Sequence, residues 1–123
     1  MLSAAHRLRS SVAFTDVVRR GRRAGQRTLT VHLLSAIDTG GNAPPQAGLV
    51  ISKAVGGSVV RHAVARKLRH LLRERVPALG DGTLLVVRAA PTAATATSAE
   101  LAADLDRALR RLTGRSDEQA LAR

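Results

Sequence analysis

Residues 52–75, SKAVGGSVVRHAVARKLRHLLRER, constrain the fold of this chain more than any other stretch. An apolar run, Ala47–Ser52, leads through the Gly56–Gly57 pair into a helix that starts at Ser58 or Val59 and ends at Val76, before Pro77. At about 100° per residue, Val60, Val64, Leu68, Leu71 and Leu72 fall on one side, an apolar stripe that must be buried against other elements. His62, Arg66, Arg69 and Arg73 follow one another at helical spacings on another side, within roughly 60° of each other. Like charges held this close repel unless a partner neutralises them. Glu74 is the sole acid between Asp38 and Asp81, so the chain itself offers little neutralisation. The helix therefore has one face for a core and one for a polyanion.

The flanking segments say what that core is. Met1–Arg9 reads as a loose basic arm, followed by a cap at Ser10 or Ser11 and a short helix through Arg20 that stops at Gly21, with Phe14, Val17 and Val18 on its apolar side. Arg27–Ala36 is a strand with Leu29, Val31 and Leu33 on one face and Thr30, His32 and Leu34 on the other. Asp38–Gln46, with two glycines and two prolines, is a loop, and Ala47–Ser52 is a second strand. Thr83–Ala89, with its continuous apolar run Leu84–Val87, reads as a central strand. Thr97 and Glu100 form a capping box that opens a last helix, on which Leu101, Leu105, Ala108, Leu109 and Leu112 recur at helical spacing up to Gly114. Residues 115–123 read as a frayed polar tail. Helix, two or three strands, helix, strand, helix is the order of an α+β or α/β sandwich, a single domain built around one small sheet.

Charge placement narrows the function. Of 20 Lys and Arg residues, 14 lie in residues 1–75 against three acids, whereas residues 76–123 balance six against six. The anion-binding surface is thus built from the first part of the chain. Only Lys53 and Lys67 are lysines, and arginine's planar fork suits bidentate phosphate contacts and stacking on bases. The absence of cysteine excludes disulfides and thiolate metal sites and fits a cytoplasmic protein. No apolar run approaches the roughly 20 residues of a membrane span. Nuclease chemistry by protein groups needs clustered carboxylates or a paired acid and base, yet Asp16, Asp38 and Asp81 sit apart and the four histidines form no zinc motif. Gly56–Gly57 lacks a following Lys-Ser or Lys-Thr, so it reads as a tight turn before it reads as a phosphate cradle.

Distributed residues give the chain a family resemblance. Ala13-Phe14 with Val17-Val18-Arg19-Arg20-Gly21, then Gly48-Leu49-Val50-Ile51-Ser52-Lys53, Val55-Gly56 and Val59, then Arg61, Arg66, Leu68 and Arg69, and finally Val87-Arg88-Ala89-Ala90-Pro91 together resemble the bacterial ribonuclease P protein component. The chain departs from that pattern at His62-Ala63 and Ala65 in the basic helix. It also departs at Ala54 after the strand, at Val18 in the first helix, and at His32, where the family often has tyrosine.

The resemblance implies an α+β fold of about four strands and three helices in the order α-β-β-β-α-β-α. It implies a two-layer sandwich with a left-handed βαβ crossover, an exception to the usual hand. It further implies an RNA-binding subunit of the endoribonuclease that removes 5′ leaders from precursor tRNA, with one protein per catalytic RNA. That RNA would perform catalysis with Mg²⁺ held mainly by the RNA, and no metal would be held by protein side chains alone. Carried over by position, Lys53, Arg61, His62, Arg66, Lys67, Arg69 and Arg73 would contact RNA. Phe14, Val18, Thr30, His32, Val50 and Ser52 would line a cleft for the single-stranded leader. From the residues alone Phe14 is either a core ring or a base-stacking one, and His32 either a half-buried strand residue or a cleft residue. A small structural RNA-binding protein of ribosomal or chaperone type shares the same charge footprint, and a DNA-binding helix is the weakest alternative.

Overall fold

The computed structural model describes residues 4–114; the expected tail, 115–123, lies outside them. A first helix, α1 (Ser11–Arg20), is followed by strands β1 (Arg22–Gly25) and β2 (Leu29–Leu34) and a single helical turn, α2 (Ala36–Thr39). Strand β3 (Gln46–Val50), helix α3 (Ser58–Arg75), strand β4 (Leu84–Ala89) and helix α4 (Ser98–Thr113) complete the order, with short 3₁₀ turns between them. The sheet runs β1-β2-β4-β3, with β3 parallel to β4 and the other pairs antiparallel. The α+β architecture is the expected one, and β3-α3-β4 is its parallel crossover unit. Beyond the three expected helices stands α2, one turn closed by Ser35 and Asp38 inside a stretch expected to be loop.

Two apolar clusters hold the sheet. On one face Leu29, Val31, Leu33, Leu85 and Val87 meet Val64, Leu68 and Leu72 of α3 and Leu101, Leu105 and Ala108 of α4, which is the two-layer sandwich. On the reverse face a smaller cluster of Leu8, Val17, Leu34 and Val86 fastens α1 as a partial third layer. Strand β4 faces both clusters, so Leu85, Val86 and Val87 are all fully buried and its unbroken apolar run needs no alternation.

Three expectations change. Strand β1 was not legible, because Arg22-Arg23-Ala24-Gly25 buries only Ala24 and has no apolar alternation. What fixes it is Arg22, whose guanidinium donates to the Leu112 carbonyl (2.8 Å) at the C-terminal end of α4, where a cation is favoured. Residues 6–8 are not a loose arm: the Leu8 amide donates to the Ala47 carbonyl at 2.9 Å, Arg7 bridges to Ala47, and Leu8 is buried. This covers part of the free edge of β3. Finally, Val60 leaves the apolar stripe. It is 36% exposed beside the turn, and Ala65 joins Val64, Leu68, Leu71 and Leu72 in the buried face instead.

One polar group is buried with the α4 core. Asp104, 4% exposed, accepts hydrogen bonds from the Thr28 amide (3.0 Å) and hydroxyl (2.5 Å) and from Arg107. Burial alone would raise its pKa, but these donors outweigh burial and hold the carboxyl below its usual range. Asp104→Ala is expected to lower stability by about 2 kcal/mol, because the Thr28 donors would be left buried and unpaired. A depressed carboxyl stabilises above its unfolded pKa of about 3.9, and that contribution fades as pH falls through the folded value. In denaturant titrations the gap between wild type and variant should therefore narrow below about pH 4. A gap that stays constant through that range would remove the charge from the account.

Candidate nucleic-acid interface

Helix α3 presents its cations to solvent. His62, Arg66, Arg69 and Arg73 are exposed, while Arg61 and Lys67 are half-buried. Among the described residues Arg61, Arg66, Arg69, Arg73 and Lys53 form no ion pair, because the carboxylates that do pair are engaged elsewhere: Asp16 with Arg20, Glu100 with Arg27, Asp104 with Arg107. Arg75 stands apart. It is clamped by Asp106 at 2.6 Å and reaches Glu74 at 3.5 Å, so the foot of the helix is neutralised while the stripe above it is not. Lys67 also differs from its neighbours, its ammonium donating to the Ala96 carbonyl at 3.2 Å. Arg61 Nε is buried and has no partner among the described residues. The departure at Ala65 is a packing feature, since this residue is 6% exposed against the core.

The approach to the helix is sterically constrained at the first residue of the glycine pair. Gly56 sits at φ +154°, and a Cβ there would come within 2.9 Å of Val60 Cγ1, so this position requires glycine. Gly57 has open space instead. Ser52 and Lys53 are exposed on the turn that precedes them, and Val59, 82% exposed, adds an apolar point beside the cations.

The residues expected in a cleft occupy the reverse face of the sheet. Alternation along the strands places Thr30 and His32 of β2, Gly48 and Val50 of β3, and Val86 and Arg88 of β4 on the side that carries α1. Phe14 and Val18 of α1, with Val50, are half-buried against the Leu8, Val17, Leu34 and Val86 cluster. The Phe14 ring lies on Gly48: a Cβ there would collide with Cζ and lie 2.6 Å from Cε1. Ser52 and Lys53 follow the end of β3. A pocket of about 350 Å³ at the β3 edge is lined by Phe14, Gly48, Leu8 and Arg69, so one arginine of the α3 stripe reaches the aromatic end of the cleft. The two expected sets thus meet at Arg69 and Phe14.

His32 is more buried than either reading of it expected. It is 3% exposed, neither ring nitrogen has a partner among the described residues, and burial, then the charges of Arg88 and Arg23, push its pKa down. Each of these causes favours the neutral ring. Arg23 and Arg88, on the same face, were missed as site residues. Arg88 was visible as the one charge in an apolar strand, whereas Arg23 belongs to the strand that the sequence did not reveal. Among the described residues no group of three or more His, Asp or Glu side chains converges to hold a metal ion, and no helix is long and apolar enough to cross a membrane.

The model of the ribonuclease P family matches residues 2–113. This chain belongs to the ribonuclease P protein family. It is 54% identical over 112 residues to the ribonuclease P protein component of a Nocardioides species, covering 91% of this chain and 95% of that one. The Streptomyces avermitilis protein of the same name is 56% identical over 119 residues, with 93% and 97% covered. Among solved structures, the RNase P protein of Staphylococcus aureus superposes with a TM-score of 0.73 at 19% identity, covering 86% of this chain and 94% of that one. That of Thermotoga maritima gives 0.71 at 18% identity, with 86% and 96% covered. These likenesses establish the fold. The identities near one half with named ribonuclease P protein components establish the family, and with it the role of a ribonuclease P subunit.

Proposed function

We propose that the chain is the RNA-binding subunit that grips both a catalytic RNA and the 5′ leader of precursor tRNA, in the cytoplasm and as one copy per RNA. The observation that carries this reading is the pairing of an un-neutralised cationic helix face with a cleft on the other side of the sheet that carries the Phe14 ring, joined where Arg69 and Phe14 line one pocket. In this reading Lys53, Arg61, His62, Arg66, Lys67, Arg69 and Arg73 bind the catalytic RNA, and each phosphate neutralised releases counterions. Phe14, Val18, Thr30, His32, Val50 and Ser52 belong to the leader side, where an aromatic ring contributes by stacking. The protein supplies counter-charge and substrate grip. Bond cleavage and its Mg²⁺ are assigned to the RNA.

Reconstitution tests this directly. The protein is added to a bacterial ribonuclease P RNA at low Mg²⁺, and cleavage is measured on precursor tRNA with a leader of several nucleotides and with a minimal one. Stimulation that grows with the leader is the expected result, and no stimulation would sink the proposal. Equal effects on precursor and mature tRNA binding would favour a purely structural RNA-binding role.

A further inference from the structure

The two ends of the cleft floor differ in chemistry. Toward β3 the surface is apolar, with Phe14 seated on Gly48 and Val18 and Val50 alongside. Toward β1, and beside Val50 in the middle of the sheet, it is cationic. Arg23 is the register partner of His32 across β1 and β2, while Arg88 on the inner strand β4 is the partner of both Thr30 on β2 and Val50 on β3, two residues along from Val86, which faces His32. Side chains directly opposite one another in such a sheet stand about 5 Å apart and diagonal neighbours about 7–8 Å. Two guanidinium groups therefore flank one imidazole on the same face. Both arginines are exposed, and among the described residues neither has an ion pair or a side-chain hydrogen bond. Beneath them His32 is buried with two unpartnered ring nitrogens.

That arrangement is unfavourable for the protein alone. Two cations repel each other, and a buried polar ring without partners carries a desolvation penalty. An anion seated between the exposed arginines relieves the repulsion and offsets the positive potential they place on the buried ring beneath. A phosphodiester supplies that charge, and arginine forks match its oxygens two at a time. The cationic end also shares its floor with the Phe14 end, across four strands spaced about 4.8 Å apart. A single strand whose base lies on Phe14 can thus carry its backbone across the arginines. We propose that Arg23 and Arg88, with His32 beneath them, form a phosphodiester-binding subsite for the single-stranded segment held in the cleft. This inference rests on the leader-binding role proposed above. Its consequence is a grip drawn from charge more than from stacking, in keeping with a chain whose only aromatic residue of the Phe, Tyr and Trp class is Phe14.

The test uses the particle reconstituted with catalytic RNA, the double variant R23Q/R88Q, and precursor and mature tRNA titrated across salt. Wild type should prefer precursor, and the double variant should lose about tenfold of that preference. The salt slope for precursor should fall by about 1.4, or 0.7 for each phosphate of single-strand type, with mature tRNA binding unchanged. A neutral methylphosphonate at the contacted leader position should weaken wild type by a similar factor and leave the double variant indifferent. If wild type prefers precursor and the variant keeps both preference and slope, the subsite is wrong while the leader cleft stands. Equal losses for precursor and mature tRNA would also overturn it, placing the arginines on another RNA. If wild type shows no preference, the leader-binding role fails and the subsite fails with it. Thermal midpoints of the free proteins separate lost binding from lost fold, and the single variants R23Q and R88Q repeat the comparison at half the change in slope.

Discussion

Replacing Arg66 and Arg69 together by alanine is expected to weaken binding of the catalytic RNA about a hundredfold, roughly tenfold for each charge-assisted hydrogen bond to phosphate that disappears. Both side chains are exposed, lie on one face of α3 and have no ion pair among the described residues, so their charge is free for phosphates. The salt dependence should flatten by about 1.4 in slope if each arginine neutralises one single-strand-type phosphate. Stability should move the other way. Removing two neighbouring like charges relieves repulsion, and alanine is the better helix former, so the free protein should melt no lower than wild type. Arg75→Ala supplies the contrast. Its guanidinium is held by Asp106 and donates to the Leu71 carbonyl (3.0 Å), so its loss should cost stability and leave the salt slope alone. An unchanged slope in the Arg66/Arg69 variant would make the stripe an ordinary solvated helix face.

The elements that could be read from the sequence are those whose burial is periodic. The faces of α3 and α4 and the continuous run of β4 were legible because buried leucines and valines repeat at the spacing of their own backbone. Strand β1 escaped because its place is set from outside, by pairing with β2 and by Arg22 at the carbonyl end of α4, a hydrogen bond across 90 positions of chain. Leu8 escaped for a similar reason: its burial depends on the edge of β3, and nothing local marks it. Val60 shows the converse error. It has the correct angle on the wheel, but the first turn of α3 overhangs the core and the side chain rests on Gly56. The cationic stripe was legible as a pattern of charge. The cluster of Arg23, His32 and Arg88 was not, because its members come from three strands and converge only through register.

Gly48→Ala should disable the cleft from its floor. Strand β3 cannot back away, since Ala47 and Leu49 on either side are tied into the parallel ladder with β4. The added methyl overlaps three atoms of the Phe14 ring, so the ring and the end of α1 that carries it must move. Overpacking of this kind typically costs about 1–3 kcal/mol. Phe14→Ala removes the ring and should lose a comparable amount of packing, but in the double variant the methyl has nothing to strike. The two losses should therefore fall short of adding, by about 1 kcal/mol or more in a denaturant-unfolding cycle, as residues in direct contact do. Strictly additive losses would mean that the ring does not rest on Gly48 in solution. The same three variants probe the proposed leader binding, because stacking of one base on Phe14 corresponds to roughly 1–3 kcal/mol. Each single variant should then lose about tenfold or more in precursor affinity with mature tRNA spared, and the double variant should lose no more than Phe14→Ala alone. A ring needed only for packing would show the stability cycle without this difference between precursor and mature tRNA.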